Sequence, residues 1–291
     1  QALFSGVENE ETLAFKAKIE KETPEQTAEA GKLHDIFSFY NHGTQVASIV
    51  IEGNPAVRLL NARLTWPDNA DVNDSTQSYE QWARLHVTNI RKFVAYFKKQ
   101  KVRVVNASWS MTRNGVEENL EKDHPKMNAR DRKILAERIF NSIKNALAES
   151  IGSAPEILFV VSAGNVNSDA GFNNAIPASL QLPNLITVGA VDAKGAAAMF
   201  TSFGKTVTLY ALGVNIETVV PGGEKLKFGG TSAAAPQVTN LAAKLFAVNP
   251  NFTVKQVVQF IKQGAETSDN DKRLKLINPK RSVQLINEEQ D

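Results

Sequence analysis

The chain contains no cysteine. Disulfides, thiolate metal sites and a cysteine nucleophile are therefore excluded, and the absence is compatible with an extracellular or periplasmic protein. An excess of either charge is also missing. Lys and Arg number 33 against 31 Asp and Glu, for a net charge of +2, which gives no reason to expect nucleic acid or an anionic membrane as partner. No apolar run approaches the roughly 18 residues that a membrane span needs, and no signal peptide is visible. The sequence opens on Gln1-Ala2-Leu3-Phe4-Ser5-Gly6, which reads as a processed or truncated terminus. Histidine is scarce: there are four, so each can be weighed singly.

What is present is ordinary globular composition, 42% hydrophobic and 22% charged over 291 residues. That length suits one large domain. Residues 8–35 are polar with helical composition. An apolar stretch over residues 46–51 follows a His-Gly-Thr turn, and residues 57–64 alternate as a strand would. Residues 79–100 predict an amphipathic helix with Trp82, Leu85, Ile90, Phe93, Val94 and Phe97 on its apolar stripe. Residues 102–108 predict a strand, 112–128 a polar surface insertion, and 128–149 a helix carrying Ile134, Leu135, Ile139, Ile143 and Leu147. The short apolar runs 157–161 and 185–191 suit strands covered on both faces. Two further helices are predicted over 232–248 and 254–263. Strands alternating with helices argue for an α/β fold with a mainly parallel sheet between helical layers.

Three places could carry chemistry. Ser232 lies in Gly229-Gly230-Thr231-Ser232-Ala233-Ala234-Ala235-Pro236. A serine at a helix start sits among free backbone N–H groups that favour negative charge, although an N-cap serine would look the same. His42, in Asn41-His42-Gly43-Thr44, fits a histidine at a helix start with a free ring edge; a structural histidine is the alternative. Asn165 ends the run Val160-Val161-Ser162-Ala163-Gly164-Asn165, just past the carboxyl end of a buried strand, where ligands bind in open α/β sheets. An amide there can donate to a developing oxyanion, or simply close a turn.

In their order along the chain, His-Gly-Thr-x-Val-Ala, Ser-Ala-Gly-Asn and Gly-Thr-Ser-x-Ala-x-Pro resemble the subtilisin-like serine proteases, the subtilases. Asn173-Asn174-Ala175-Ile176-Pro177-Ala178-Ser179, residues 186–191 and Phe200-Thr201-Ser202-Phe203-Gly204 extend the likeness, which covers roughly residues 36–262. The resemblance implies a three-layer subtilisin-like fold with a cis peptide before Pro177. It implies a serine endopeptidase in which Ser232 is the nucleophile, His42 the general base and Asn165 the side-chain donor of the oxyanion hole. It makes Ser108-Trp109-Ser110 the strand that pairs with an extended peptide, with Ala163 and Gly164 on the other side of the substrate. Trp109 and Ser110 depart from the family's Ser-Leu-Gly, so Trp109 covers or shapes the pocket. A polypeptide substrate, no required cofactor and a secreted or periplasmic zymogen complete the expectation.

One member is missing. Subtilases carry an Asp in Asp-Ser/Thr-Gly-Val upstream of the histidine, and the nearest match here is Phe4-Ser5-Gly6-Val7, whose phenyl ring accepts no hydrogen bond from imidazole. Three sources for the acid stand open. It lies on an upstream strand absent from this chain, cleaved yet bound. Or Phe4 occupies its place and the protein is an impaired homologue that binds peptides or proteins. Or another carboxylate such as Asp35 substitutes. Many subtilases bind calcium, and the oxygen-rich residues 67–74 allow a structural ion, but their spacing matches no recognised calcium loop and a solvated turn is the simpler reading. Asn73-Asp74-Ser75 and Asn251-Phe252-Thr253 fit the glycosylation pattern, which is common by chance.

Overall fold

The computed structural model describes residues 13–14, 17–18, 21–64, 76–171 and 173–288. Phe4 with its neighbours and residues 67–75, including the oxygen-rich stretch and the first glycosylation pattern, lie outside the described residues.

The β-rich apolar runs become a parallel sheet. β1 (Val104–Ala107), β2 (Leu158–Ser162), β3 (Leu185–Val191) and β4 (Val207–Leu212) pair in that order, each parallel to the next. A short strand β8 (Lys275–Leu276) joins β4 in parallel, and β7 (Glu266–Thr267) pairs antiparallel with β8. A separate hairpin is formed by β5 (Ile216–Val219) and β6 (Lys225–Phe228). Seven helices are described: α1 (Pro24–Ile51), α2 (Thr76–Lys99), α3 (Arg113–Asp123), α4 (Ala129–Gly152), α5 (Thr231–Val248), α6 (Val254–Gly264) and α7 (Pro279–Glu288).

Alternation along the strands assigns the two faces. Leu158, Val160, Ile186, Val188, Leu209 and Ala211 pack with α5 and α6. Phe159, Val161 and Leu185 face the other way, into a core filled from α2, α3 and α4. Every residue of β2 and β3 is buried, as continuous apolar runs require, whereas all four of β1 are only half-buried. β1 is the terminal strand of the six-stranded sheet. Asn184, at the entry to β3, is itself buried and donates through Nδ2 to the carbonyls of Ile151, Ala154 and Ile157 at 2.9–3.1 Å. One amide thus adds a donor to the end of α4 and its turn into β2, where Ile151 O also accepts from Ala154 N and Ala154 O from Ile157 N.

Several expectations are corrected. Residues 57–64 take no regular structure and pair with no strand among the described residues; Leu60 and Ala62 only pack against the α2–α4 core. Alternation marked a half-buried segment, and a strand also needs a neighbour. The supposed insertion at 112–128 holds α3, capped by Thr112 and burying Val116 and Leu120. Leu85 and Ile134 are exposed, and the small side chains of Ala83 and Ala136 take the buried places instead. His42 does not begin a helix. Thr23 and Gln26 form a capping box with Pro24 at the first position, so α1 starts well upstream and runs through Gly43 to Ile51. An interior glycine costs a helix about 1 kcal/mol without breaking it. The expected cis peptide is present between Ile176 and Pro177.

Replacing Asn184 by Leu removes one donor from each of three carbonyls, of which those of Ile151 and Ala154 keep a backbone partner. We expect a loss of about 1–2 kcal/mol in urea denaturation; a change under about 0.5 kcal/mol would show that the amide is not holding this corner.

Candidate active site

Ser232 is the second residue of α5. Gly230 caps the helix with φ 119° and no side-chain hydrogen bond, a backbone region that disfavours side chains. Space makes the same demand, since a Cβ on Gly230 would stand 3.0 Å from Asn165 Nδ2. Ser232 is therefore inside the helix and is not its N-cap. Its N–H belongs to the first turn, which has no intrahelical acceptor.

Asn165 follows the end of β2 and is tied to that first turn. Its Oδ1 accepts from Thr231 N and from Thr231 Oγ1, both at 2.8 Å. Thr231 is fully buried, and its Oγ1 also accepts from Gly164 N at 3.2 Å. Because the amide oxygen is committed inward, Nδ2 is left as the free donor beside Gly230 and Ser232. The signal for Thr231 was available in the Gly-Thr-Ser run, but its role as the tie was not foreseen.

A second tie comes from the end of β1. Pro236 stands four residues after Ser232 inside α5, and proline has no N–H to give the Ser232 carbonyl. Ser108 Oγ supplies the missing donor at 3.1 Å. Ser108 Oγ in turn accepts from Asn106 Nδ2 at 2.9 Å, and Thr239 Oγ1 donates to Asn106 Oδ1 at 3.1 Å. The Ser232 hydroxyl donates to the Ser108 carbonyl at 3.4 Å. Trp109 is half-buried and packs against the α2–α4 core, Ser110 is exposed, and Ala163 is fully buried.

His42 reaches this region from α1. The helix docks through Val46 and Ile49 onto Phe228 and Ala233. Gln45 Nε2 bonds Thr218 Oγ1 at 3.1 Å, and Asn240 Nδ2 caps the helix end through Val50 O and Glu52 O, both at 2.8 Å. The His42 ring stands edge-on to Phe228 with centroids 5.6 Å apart. Burial pushes its imidazole below the ordinary histidine value, because desolvation disfavours the cation. Among the described residues no hydrogen bond joins His42 to Ser232, and no carboxylate bonds the imidazole. Asp35 is exposed on α1, seven residues earlier; at 1.5 Å per residue that is about 10 Å along the axis, beyond reach. Also among the described residues, no three His, Asp or Glu side chains form a group able to hold a metal ion.

A sequence model described as the Subtilase family matches residues 6–280. The chain is 30% identical over 194 residues to the subtilisin-like serine protease Pen ch 13 of Penicillium rubens, a match covering 64% of this chain and 48% of that protein. It is 32% identical over 116 residues to subtilisin E of Bacillus subtilis (strain 168), covering 40% of this chain and 30% of that one. The chain thus spans about half the length of Pen ch 13. Among solved structures, a cold-adapted subtilisin-like serine proteinase superposes with a TM-score of 0.57 at 22% identity, over 81% of this chain and 73% of that one. A lanthipeptide protease gives 0.57 at 18%, over 84% and 75%. These structural likenesses bear on the fold, which is the subtilisin-like α/β arrangement expected from the motifs.

Ser108→Ala removes the donor that replaces the missing Pro236 N–H. We expect about 1–3 kcal/mol of lost stability, measured by chemical denaturation; an unchanged midpoint would mean that water or a shifted backbone satisfies Ser232 O.

Proposed function

The chain belongs to the subtilase family, and on that footing we propose that it is a serine endopeptidase acting through Ser232 and His42. The observation that carries this reading is the convergence at the start of α5 of a serine hydroxyl, its own first-turn N–H and the outward Nδ2 of Asn165, with the oxygen of that amide locked by Thr231. Two donors beside one hydroxyl are what acyl transfer needs.

The steps follow from these groups. Ser232 Oγ attacks the peptide carbonyl carbon as its proton passes to His42. The carbonyl oxygen becomes an oxyanion facing Ser232 N–H and Asn165 Nδ2. The tetrahedral centre collapses, the C–N bond breaks, and the amine leaves with the proton from His42. Water then attacks the ester, His42 takes and returns a second proton, and the carboxylic acid departs. For this, Ser232 Oγ must leave Ser108 O for the imidazole.

We further propose that the group orienting His42 is an aspartate on a strand added in parallel at the free edge of β1, carried by an upstream segment that is cleaved but stays bound. Support comes from β1 itself, which ends the sheet of the described residues half-buried while its neighbour β2 is fully covered. In this reading the protein is a secreted zymogen-derived protease whose substrates are polypeptides. A second reading, a peptide-binding homologue without turnover, is favoured by one observation: His42 lies against Phe228 with no hydrogen-bond partner among the described residues.

Treatment with a fluorophosphonate should leave an adduct on Ser232, found by mass spectrometry of the digest. No adduct would overturn the endopeptidase reading and leave the binding module. The pH dependence of labelling reports on the acid. Only neutral imidazole can act as base, and burial holds His42 below about 6.5, so the rate for this chain should persist through that value and fall only at lower pH. A docked carboxylate stabilises the cation, so adding the Asp-bearing segment should shift the fall toward higher pH. A limb already above the ordinary value in the chain alone would mean that a carboxylate is already in place.

A further inference from the structure

A second cleft lies away from Ser232. It has a volume of about 560 Å³ and opens between the first half of β4, the last turn of α6 and β8, lined among others by Lys205, Thr208, Lys262, Gln263 and Lys275. Asn165 follows the carboxyl end of β2, whereas Lys205 precedes β4. Both strands run parallel to β3, so the cleft sits toward the opposite end of the sheet from the candidate active site.

Its lining carries one sign of charge. Three lysines from three separate segments converge there, and among the described residues no Asp or Glu lines it. Elsewhere surface cations are paired, as Arg91 with Glu149, Arg138 with Glu80 and Lys225 with Glu217. Lys205, Lys262 and Lys275 form no ion pair among the described residues. Lys275 Nζ donates to the Thr267 hydroxyl at 2.6 Å. Glu266, opposite Leu276 across β7 and β8, accepts instead from Asn278 Nδ2. Like charges around a concave surface focus a positive potential into it.

One wall of the cleft is an incomplete sheet edge. β8 pairs with β4 only at Tyr210, so residues 207–209 have no strand on that side among the described residues. Thr208 is also skipped in the register on β3, where Val207 faces Thr187 and Leu209 faces Val188. It is exposed and belongs to neither ladder. Lysines beside an edge ordinarily keep other strands away, because pairing would bury an uncompensated cation. A strand carrying carboxylates compensates them, so lysines that reject a neutral or basic segment select an acidic one. The volume of about 560 Å³ suits a ligand of several residues better than one small anion. We propose that the cleft binds an acidic peptide segment, laid along β4 beside Thr208 with its carboxylates among Lys205, Lys262 and Lys275. This surface is independent of Ser232 and stands whether or not the chain is a peptidase.

The test is fluorescence anisotropy with the full chain carrying Ser232→Ala, so that no probe is cut, and a fluorescein-labelled octapeptide alternating Glu and Thr. We expect binding that weakens as NaCl is added and that weakens roughly tenfold when Lys205, Lys262 and Lys275 are together changed to Gln. The exposed Lys92, Lys126 and Lys133, changed together to Gln, remove the same charge elsewhere; equal weakening there would reduce the effect to net charge and overturn the site. An octapeptide alternating Lys and Thr should not bind. Two acidic peptides N-methylated at alternate amides, one for each edge of a strand, should differ, because only one set of N–H groups faces β4. Equal binding by both would overturn strand addition. Displacement of the peptide by inorganic phosphate at matched ionic strength would make this a small-anion site. No binding of the acidic peptide at low salt would overturn the proposal outright, with Ser232 labelling in the unsubstituted chain untouched by that result.

Discussion

The first turn of α5 is anchored from two strand ends at once, and the rest of the site hangs from it. Thr231 ties it to β2 through Asn165 and Gly164; Ser108 ties it to β1 through the carbonyl that Pro236 cannot serve. Each tie satisfies a backbone group that helix geometry leaves open. Each also fixes a side chain by its other end: Asn165 by its oxygen, so that its nitrogen faces out, and Ser108 by its hydroxyl, so that its carbonyl faces Ser232. Satisfying the backbone and aiming the functional groups are here the same set of hydrogen bonds. A proline inside a helix is ordinarily a defect; in α5 it creates the vacancy through which a neighbouring strand holds Ser232.

His42 stands apart from this scheme. It rides on α1, a helix whose C-terminal half is docked on α5 and the β5–β6 hairpin while much of its N-terminal half faces solvent. Leu33, Ile36 and Phe37 are exposed on that half, and Phe39 and Tyr40 just past it. The ring is desolvated against Phe228 without a compensating charge, which favours its neutral form. Ser232 and Asn165, the proposed nucleophile and oxyanion donor, are thus held by directional bonds, and His42, the proposed base, by apolar contact. Apolar packing restricts where a ring sits far better than how it is turned, because it has no direction.

Much of the fold was legible. β3 was read to the residue, and α2, α4, α5, α6 and β2 within a few residues, because their apolar periods are long and clean. What escaped was short or depended on partners. β4 alternates weakly, the β5–β6 hairpin carries lysines, and β7 and β8 pair over two residues each. α3 looked polar because it buries only Val116 and Leu120. Residues 57–64 show the converse, a strand-like pattern with no partner strand among the described residues.

The sequence by itself determined the residue types at Asn165 and Ser232, since they belong to local runs whose Gly164 and Gly230 take positive φ beside close neighbours, whereas a Cβ on Gly43 beside His42 would meet nothing within 4 Å. It also showed that residues 1–41 hold no Asp-Ser/Thr-Gly-Val run. Only the tertiary structure decided how these groups are aimed. That Asn165 presents nitrogen and not oxygen, that Ser108 answers for Pro236, and that Ser202 crowds Gly164 are consequences of contacts between segments far apart in the chain. Such contacts leave no periodicity to read, because hydrogen-bond direction and the width of a gap belong to the packed backbone and not to the order of residues along it.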